Sequence, residues 1–285
     1  MCIRDRFRQG PKDIRLNDTK ISQKELIGTL NTVIFCPEDL QLIKGTPSGR
    51  RRFLDMEISQ TSATYYHQLM QYNRLLQQRN AVLKEYRGKN TIPLEEWDLQ
   101  LADMASFIVK KRLESLKKIN LLIDLMNRKL TGGLENLTIG YEQPYMDNGS
   151  LEYTKEGFYE RIKAALPQDR HRLSTSVGPH RDDLRFFSDA MDLKKFGSQG
   201  QQRTAVLSLK LSELEFIKSE VGEYPVLLLD DVLSELDESR RTNLLQFIHK
   251  RIQTFITTTD IHDFKDLKSV QFISCEGGQV QYGQP

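Results

Sequence analysis

Two acidic residues follow a short apolar run and could hold a divalent cation. Residues 226–229 are Val-Leu-Leu-Leu, a composition typical of a strand buried on both faces, and Asp230 and Asp231 come directly after it. Open α/β sheets bind ligands beyond the carboxyl ends of their strands. Oxygen ligands at such an edge suit Mg²⁺, which usually takes one or two carboxylates beside nucleotide phosphates and waters. The pair therefore indicates nucleotide chemistry.

A glycine-containing turn before a predicted helix could bind an anion. Residues 196–203 read Phe-Gly-Ser-Gln-Gly-Gln-Gln-Arg, and helical sequence follows over 199–221. A helix N-terminus directs backbone N–H groups and a partial positive charge toward an anion. Ser198 and Gln201 also match a capping box, which would explain them without any ligand. The two interpretations are compatible, because the same row of N–H groups can serve both.

These segments resemble parts of the ABC-type ATPases. Residues 198–202 are similar to the signature loop of that class, 226–231 to its Walker B strand, and the Ser-Glu-Leu-Asp at 234–237 to its D-loop. Their wording, together with two further blocks at 37–55 and 176–183, resembles the RecF family of bacterial recombination proteins. The resemblance covers most of the chain. It implies an α/β fold, namely an ABC-type ATPase head with an inserted helical lobe.

The resemblance also implies roles for individual residues. The signature loop would bind the γ-phosphate of ATP held by a second subunit, through the residues Ser198, Gln199, Gly200 and Gln201. Asp230 would hold Mg²⁺, and Asp231 would orient the attacking water. Asp237 would couple the two ATP sites across the dimer interface. Thr259 stands where the class usually has a histidine, and both nucleotide contact and a plain surface position remain open for it.

The P-loop of this class is not found in the sequence. A search for Gly-x-x-x-x-Gly-Lys-Ser/Thr gives no match, and the single Gly-Lys pair, Gly88 and Lys89, is followed by Asn90. Residues 1–6 show no helix cap and no apolar period. We therefore expect the gene to begin upstream, the ATPase head to be incomplete with its P-loop portion absent, and this chain to bind ATP poorly and lack ATPase activity.

Apolar spacing predicts the elements that carry these segments. Helical periods over 59–87 and 94–130 predict an antiparallel helical hairpin, which a shorter helix over 152–166 completes. Strands are predicted at 13–21 (a hairpin), 32–36, 134–141, 173–177, 184–187, 191–193, 226–229, 254–258 and 270–274, and a further helix at 237–250. The predicted divisions are 1–58, the N-terminal part of the head; 59–166, the helical lobe; and 167–285, the C-terminal part with the signature and Walker B motifs.

Basic runs could contact a nucleic-acid backbone. Residues 50–52 are three arginines, and a second run lies on the predicted 94–130 helix. The members of that second run are Lys110, Lys111, Arg112, Lys117 and Lys118. Such runs are usually solvated helix faces, and the alternative is contact with DNA phosphates, which is independent of base sequence. The resemblance favours DNA contact for the helix residues, whereas Arg51 and Arg52 could instead pair with carboxylates such as Asp55.

Composition excludes a few classes of protein. The net charge is +2, with 38% hydrophobic and 28% charged residues, as in a soluble protein. No apolar run approaches the roughly 18–20 residues of a membrane span. The three cysteines are too widely spaced for a disulfide framework or a metal site, which favours a cytoplasmic protein.

The family resemblance implies partners that no residue pattern reveals. It implies a homodimer formed on ATP, binding to DNA at gaps, stalled forks or other single-/double-strand junctions, and cooperation with RecR and RecO in loading RecA. Two alternatives remain. One is another ABC-type head of the SMC or Rad50 kind, although the chain lacks their long heptad tracts. The other is a non-enzymatic DNA-binding or adaptor module that retains the ATPase motifs.

Overall fold

The computed structural model describes residues 3–6, 13–86, 93–133, 135–145, 153–259, 264 and 270–282; of residues 3–6, 23, 24, 235 and 276 it describes the backbone alone. The Gly88 and Lys89 pair and the turn predicted between the two long helices therefore lie largely outside the described residues. None of the helices in the described part of the chain combines the length and the apolar character that a membrane span requires.

The described chain contains both strands and helices, with four successive helices between the fourth and fifth strands. The described strands are β1 (Ile3–Arg6), β2 (Asp13–Leu16), β3 (Thr19–Ile21), β4 (Thr32–Phe35), β5 (Leu137–Glu142), β6 (Asp183–Ser188), β7 (Met191–Asp192), β8 (Val226–Asp230), β9 (Thr254–Thr257), β10 (Ile273–Glu276) and β11 (Gln279–Tyr282). The described helices are α1 (Gln23–Leu26), α2 (Gln41–Lys44), α3 (Pro47–Thr61), α4 (Ala63–Glu85), α5 (Glu95–Thr131), α6 (Lys155–Ala164), α7 (Leu166–Arg172), α8 (Leu193–Phe196), α9 (Gln199–Val221) and α10 (Glu238–Ile248).

A parallel sheet in the order β4-β8-β9 carries the acidic pair at one edge. Leu227 and Leu229 of β8 are 1% exposed and face the core. On the other face, Ile34, Leu228 and Phe255 lie side by side in register. Ile34 and Phe255 are half exposed there, although parallel sheets are normally covered on both faces. All three strands end at the same edge, where Asp230 lies.

Helix α9 lies in the centre of the protein. Its side chains are buried around nearly its whole circumference, as expected of a core helix rather than a surface helix. Ser198 caps its N-terminus, and Gly222, with φ of 95°, ends it in the left-handed conformation. α5 packs along it and also contacts α4, α6 and β5. The sheet edge and the helical hairpin are thereby joined through one hydrophobic core.

Most elements are confirmed, one helix begins later than predicted, and one predicted strand is wrong. The helix predicted at 59–87 is α4, which begins at Ala63 because Ser62 leaves the helical conformation and caps it by accepting from Tyr65 N at 3.2 Å; residues 59–61 belong to α3. The strand predicted at 173–177 is a loop whose backbone groups pair with side chains instead. Thr175 N donates to Asn80 Oδ1 at 2.8 Å and Ser176 N donates to Asp169 Oδ1 at 2.9 Å.

Candidate functional site

The carboxylate edge of the sheet is held together by a threonine. Asp230 and Thr257 are direct neighbours in the parallel register of β8 and β9. Thr257 Oγ1 donates to Asp230 Oδ1 at 2.6 Å and accepts from the backbone N–H of Asp231 at 3.1 Å. The hydroxyl therefore orients Asp230 and leaves its second carboxylate oxygen without a partner among the described residues. Thr257 was not singled out from the sequence, although its position at the end of the neighbouring parallel strand is a usable signal.

Asp231 adds a second exposed carboxylate to this edge. Its backbone is left-handed, with φ of 52°, a conformation that aspartate tolerates better than most residues. Ser234 Oγ closes the turn by donating to the Asp231 carbonyl at 2.8 Å. The described residues contain no group of three or more His, Cys, Asp or Glu side chains that could hold a metal by themselves. Two exposed carboxylates fit Mg²⁺ only where phosphates and waters complete its coordination.

The predicted signature residues form the N-terminus of α9. Gln201 N donates to Ser198 Oγ at 3.2 Å and Ser198 N donates to Gln201 Oε1 at 3.0 Å, which confirms the capping box. Gln199 begins the helix. A Cβ added at Gly200 would meet nothing nearer than Ser198 Oγ at 4.0 Å, so packing within the chain does not require glycine there.

Glu135 orients the signature residue Gln201. Gln201 Nε2 donates to Glu135 Oε1 at 2.9 Å, and Ser188 Oγ donates to Glu135 Oε2 at 2.8 Å. A cavity of about 470 Å³ opens beside these three side chains and is bounded by Asp189 and Met191. Sequence reasoning missed Glu135, because nothing in its local pattern distinguishes it from a surface glutamate.

The two remaining nucleotide candidates lie in exposed loops. Asp237 caps α10 by accepting from Arg240 N at 2.9 Å, and this hydrogen bond, together with the Arg240 guanidinium, lowers the pKa of its carboxyl. Thr259 follows β9, is exposed and has no partner among the described residues. Its contact with nucleotide stays a prediction.

The predicted DNA-contact lysines lie on one face of α5. Lys110 and Lys117 are exposed, seven positions apart, and form no ion pair with the described residues. Lys111 pairs with Glu114 at 2.7 Å, and Lys118 pairs with Glu220 of α9 at 2.6 Å. Uncompensated positive charge is therefore concentrated at Lys110 and Lys117.

Arg112 is a correction to the predicted DNA-contact set. Its side chain is 2% exposed, and its Nε and Nη2 donate to the two carboxylate oxygens of Asp55, each at 2.9 Å. Nη1 donates to the Pro179 carbonyl at 2.7 Å and lies 3.3 Å from Asp182 Oδ2. The nitrogens of the guanidinium thus all donate to groups inside the core, and none is available to a DNA phosphate.

The two further sequence blocks, 37–55 and 176–183, meet in the fold. Arg50 Nε and Nη2 donate to Asp183 at 2.7 and 2.9 Å, and Arg51 Nη1 donates to the Asp182 carbonyl at 2.7 Å. Gly178 has φ of 131°, and a Cβ there would lie 2.3 Å from the Tyr72 hydroxyl, so only glycine fits. The contacts of this junction hold the 176–183 loop against α3 and α4.

His180 is a partly buried, neutral histidine within that junction. Because a carbonyl can only accept, the 3.0 Å contact from Nε2 to the Thr175 oxygen places the ring hydrogen on Nε2. Nδ1 then accepts from the Tyr72 hydroxyl at 2.6 Å. Burial, followed by the charges of nearby arginines, lowers the pKa of His180 to about 4.

Curated relatives carry one name. No protein-family model matches the chain. The DNA replication and repair protein RecF of Alkaliphilus oremlandii is 49% identical over 260 residues, which cover 90% of this chain and 71% of the relative. The protein of that name from Clostridium botulinum strain Eklund 17B is 46% identical over 275 residues, covering 95% of this chain and 75% of the relative. The chain thus spans about three quarters of the length of these relatives.

Solved structures agree with the relatives. The recombination mediator protein RecF in the RecFOR pathway, solved as RecF-ATPrS, superposes with a TM-score of 0.88 at 37% identity, covering 98% of this chain and 76% of the other. The RecF-ATP structure gives 0.87 at 37% identity, covering 96% and 74%. The chain therefore belongs to the RecF family of DNA replication and repair proteins and has the fold of an ABC-type ATPase head with an inserted helical lobe.

Proposed function

We propose that this chain takes part in an ATP-dependent DNA repair switch, in which two RecF-family subunits close on ATP and Mg²⁺. The observation that carries the proposal is the edge formed by Asp230 and Thr257, where a threonine holds one carboxylate oxygen and leaves the other exposed. Support also comes from the solved RecF structures, which are those of RecF with ATP and with ATPrS.

The proposed roles fall to two parts of the chain, the carboxylate edge of the sheet and the N-terminus of α9. Asp230 would hold Mg²⁺, which supplies neutralisation of phosphate charge when bound. Asp231 would accept a hydrogen bond from the attacking water and keep it in line with the γ-phosphate. The backbone N–H groups of Gln199 and Gly200 at the start of α9, beside the Gln201 N–H that already donates to Ser198 Oγ, would bind the γ-phosphate of ATP carried by the opposite subunit. Asp237 and Thr259 would lie at the same interface.

The side chain at position 231 sets the expected rate. Most ABC-type ATPases have glutamate at this place, and the aspartate here is shorter by one methylene, so its oxygens lie further from the water. Slow hydrolysis follows, as suits a timed switch that releases the dimer after its task.

DNA and protein partners complete the proposal. Lys110 and Lys117, with Lys111 and Lys118 in support, would contact DNA phosphates at gaps or stalled forks without reading bases. The region 59–166 would act as a helical lobe between the two head portions, 1–58 and 167–285. The family membership makes RecR, RecO and RecA the partners to test, in the cytoplasm where DNA repair occurs.

Light scattering with and without ATP tests the proposal. The chain is compared with a fusion that carries the N-terminal segment of the Alkaliphilus oremlandii relative, which by resemblance holds a P-loop. We expect ATP to double the mass of the fusion and to leave that of the unmodified chain unchanged. Ser198→Arg in the fusion should abolish the doubling, because it blocks the phosphate-binding end of α9. A fusion that stays monomeric with ATP would contradict the proposal.

The exposed Lys110 and Lys117, which form no ion pair with the described residues, favour a second candidate, a DNA-binding adaptor that retains the ATPase motifs without using ATP. An adaptor would bind DNA equally well with and without ATP. Undiminished DNA binding by the Asp230→Ala fusion, together with undetectable hydrolysis by the unmodified fusion, would favour this candidate over the switch.

A further inference from the structure

A second cavity lies away from the carboxylate edge. Its volume is about 560 Å³, and it lies between α3, α4 and the turn at Pro179–Arg181. Gln60, which helps to line it, accepts from the backbone N–H of Thr32 at 2.8 Å. Thr32 begins β4, whereas Asp230 ends the neighbouring parallel strand. This cavity therefore reaches the end of the sheet opposite to the proposed nucleotide edge.

One side of the cavity has surplus positive charge. Arg51 and Arg52 both line it, Arg51 with one donor on the Asp182 carbonyl and Arg52 with no partner among the described residues. The carboxylate that lines the cavity is Asp55, and both its oxygens are occupied by Arg112. His180 also lines it and is neutral. Arg51 and Arg52 thus present guanidinium donors that no lining carboxylate neutralises.

The other side of the cavity is apolar and aromatic. Met56 of α3 and Tyr66 and Leu69 of α4 line it. Met56 is 51% exposed, and neither Met56 nor Tyr66 is needed to close the hydrophobic core. Asn73, one helical turn beyond Leu69, adds an exposed amide that can donate and accept at the rim. The wall offers a flat ring and polarisable sulfur a short distance from the two guanidinium groups.

This combination matches the chemistry of a nucleotide. Arginine forks bind phosphate oxygens in a bidentate manner. Bases stack on tyrosine rings without regard to base sequence. A cavity of about 560 Å³ is within the range for small-molecule sites.

We propose that this cavity binds a single nucleotide unit, with its phosphate on Arg51 and Arg52 and its base against Tyr66. The site is separate from the ATP site of the proposed function and does not depend on it. The unit could be a free mononucleotide or one nucleotide of a single strand, since both present a phosphate beside a base.

Binding of thymidine 5′-monophosphate to the intact chain tests the proposal by isothermal titration calorimetry. We expect Arg52→Ala to weaken binding at least about tenfold, because it removes a phosphate donor. Tyr66→Leu should weaken binding comparably, while Tyr66→Phe keeps the ring and should retain it. Thymidine, which lacks the phosphate, should bind at least about tenfold more weakly than the monophosphate.

Arg74→Ala is the matched control, since Arg74 is an exposed arginine of α4 outside the cavity. It should change the affinity less than about twofold. Equal losses in Arg74→Ala and Arg52→Ala, or no saturable binding below about 10 mM, would overturn the proposal.

Two further binding measurements place the site and distinguish a free mononucleotide from a nucleotide of a strand. Asp230→Asn should leave monophosphate binding unchanged, and its loss there would assign the nucleotide to the sheet edge and overturn the proposal. Oligothymidylate that binds more tightly than the monophosphate, with the same Arg52 dependence, identifies the unit as part of a strand. Equal or weaker binding of the oligonucleotide, again dependent on Arg52, identifies a free mononucleotide.

Discussion

Gln201 of the signature helix donates its side-chain amide to Glu135, a residue 66 positions earlier in the chain, at 2.9 Å. The contact fixes which way the amide points, because Nε2 faces Glu135 and Oε1 is thereby aimed at Ser198 N. Ser188 holds the other oxygen of Glu135. The cap of α9 is therefore positioned by the β5-β6 region as well as by its own sequence.

Replacing Glu135 by alanine should loosen this cap. The variant loses hydrogen bonds to Gln201 and Ser188, and we expect the free energy of unfolding to fall by about 1–2 kcal/mol in urea titrations. Glu142→Ala is the control, since Glu142 pairs with Arg185 at an exposed position and should cost less than about 0.5 kcal/mol. Equal costs in both variants would show that Glu135 does not support the cap.

Gly200→Ala should separate stability from function. Alanine is favoured over glycine in a helix by about 1 kcal/mol, and a Cβ at Gly200 meets nothing within the chain closer than 4.0 Å. We expect the variant to unfold at higher temperature while the fusion that carries it dimerises less on ATP, because the methyl group obstructs the opposite subunit's phosphate. A variant that is both more stable and fully able to dimerise would contradict the phosphate-contact role of Gly200.

The lysines of α5 should differ in their effect on DNA binding. Replacing Lys110 and Lys117 by alanine should reduce the slope of log affinity against log salt by about 1.8, since each phosphate contact contributes about 0.9. Replacing Lys111 and Lys118 should reduce it less, because Glu114 and Glu220 already neutralise them. Fluorescence anisotropy with gapped duplex DNA measures the slopes.

Arg112→Ala serves as the contrast in that experiment. It should cost about 3–5 kcal/mol of stability, because Asp55 is left without its buried partner. This variant should lose DNA binding only at temperatures where its thermal unfolding curve shows that it is unfolded. Unimpaired folding together with weak DNA binding would restore Arg112 to the DNA-contact set.

Glu57 and His180 should give the stability of the fold opposite dependences on pH. Burial raises the pKa of Glu57 to about 7, so its folded form holds a proton that the unfolded chain has lost between about pH 4.5 and 7. Its contribution is complete at low pH and is lost as pH rises through 7. The lowered pKa of His180, about 4, gives a contribution that is present above about pH 6.5 and lost as pH falls through 4.

The two variants Glu57→Gln and His180→Gln separate these contributions. Relative to the unmodified chain, we expect Glu57→Gln to gain about 1–3 kcal/mol of stability between pH 5 and 8. The stability of the unmodified chain should rise between pH 4 and 6.5 because of His180, and the curve of His180→Gln should lack this rise. Urea unfolding across this range gives both slopes. Parallel curves for all three proteins would refute the assignment.

The sequence predicted best where local signals agree. The bounds of α9 follow from Ser198 and Gln201 at one end and Gly222 at the other, and β8 follows from its apolar run and the acids after it. Both elements are set by residues close together in the chain. The helix end and the carboxylates could therefore be predicted from the sequence alone.

Predictions from the sequence were wrong where contacts with residues far along the chain determine the structure. Arg112 looks like part of a basic surface run, but its partners Asp55 and Asp182 lie 57 and 70 positions away and draw it into the core. The 173–177 segment has strand-like composition, but the side chains of Asn80 and Asp169 take its backbone N–H groups. The role of Glu135 likewise depends on a tertiary contact, and that of Thr257 on the pairing of β9 with β8.

A mixing experiment tests most directly the claim that each ATP site is shared by two subunits. By the proposed roles, the fusion bearing Ser198→Arg cannot contact the opposite subunit's phosphate, and the fusion bearing Asp230→Asn lacks the proposed metal carboxylate, so each homodimer should be inactive in ATP hydrolysis. In an equimolar mixture each mixed dimer holds one intact site, so activity that neither variant shows alone should return, reaching about a quarter of the unmodified value where the chains pair at random. A mixture no more active than the two variants measured separately would contradict the account.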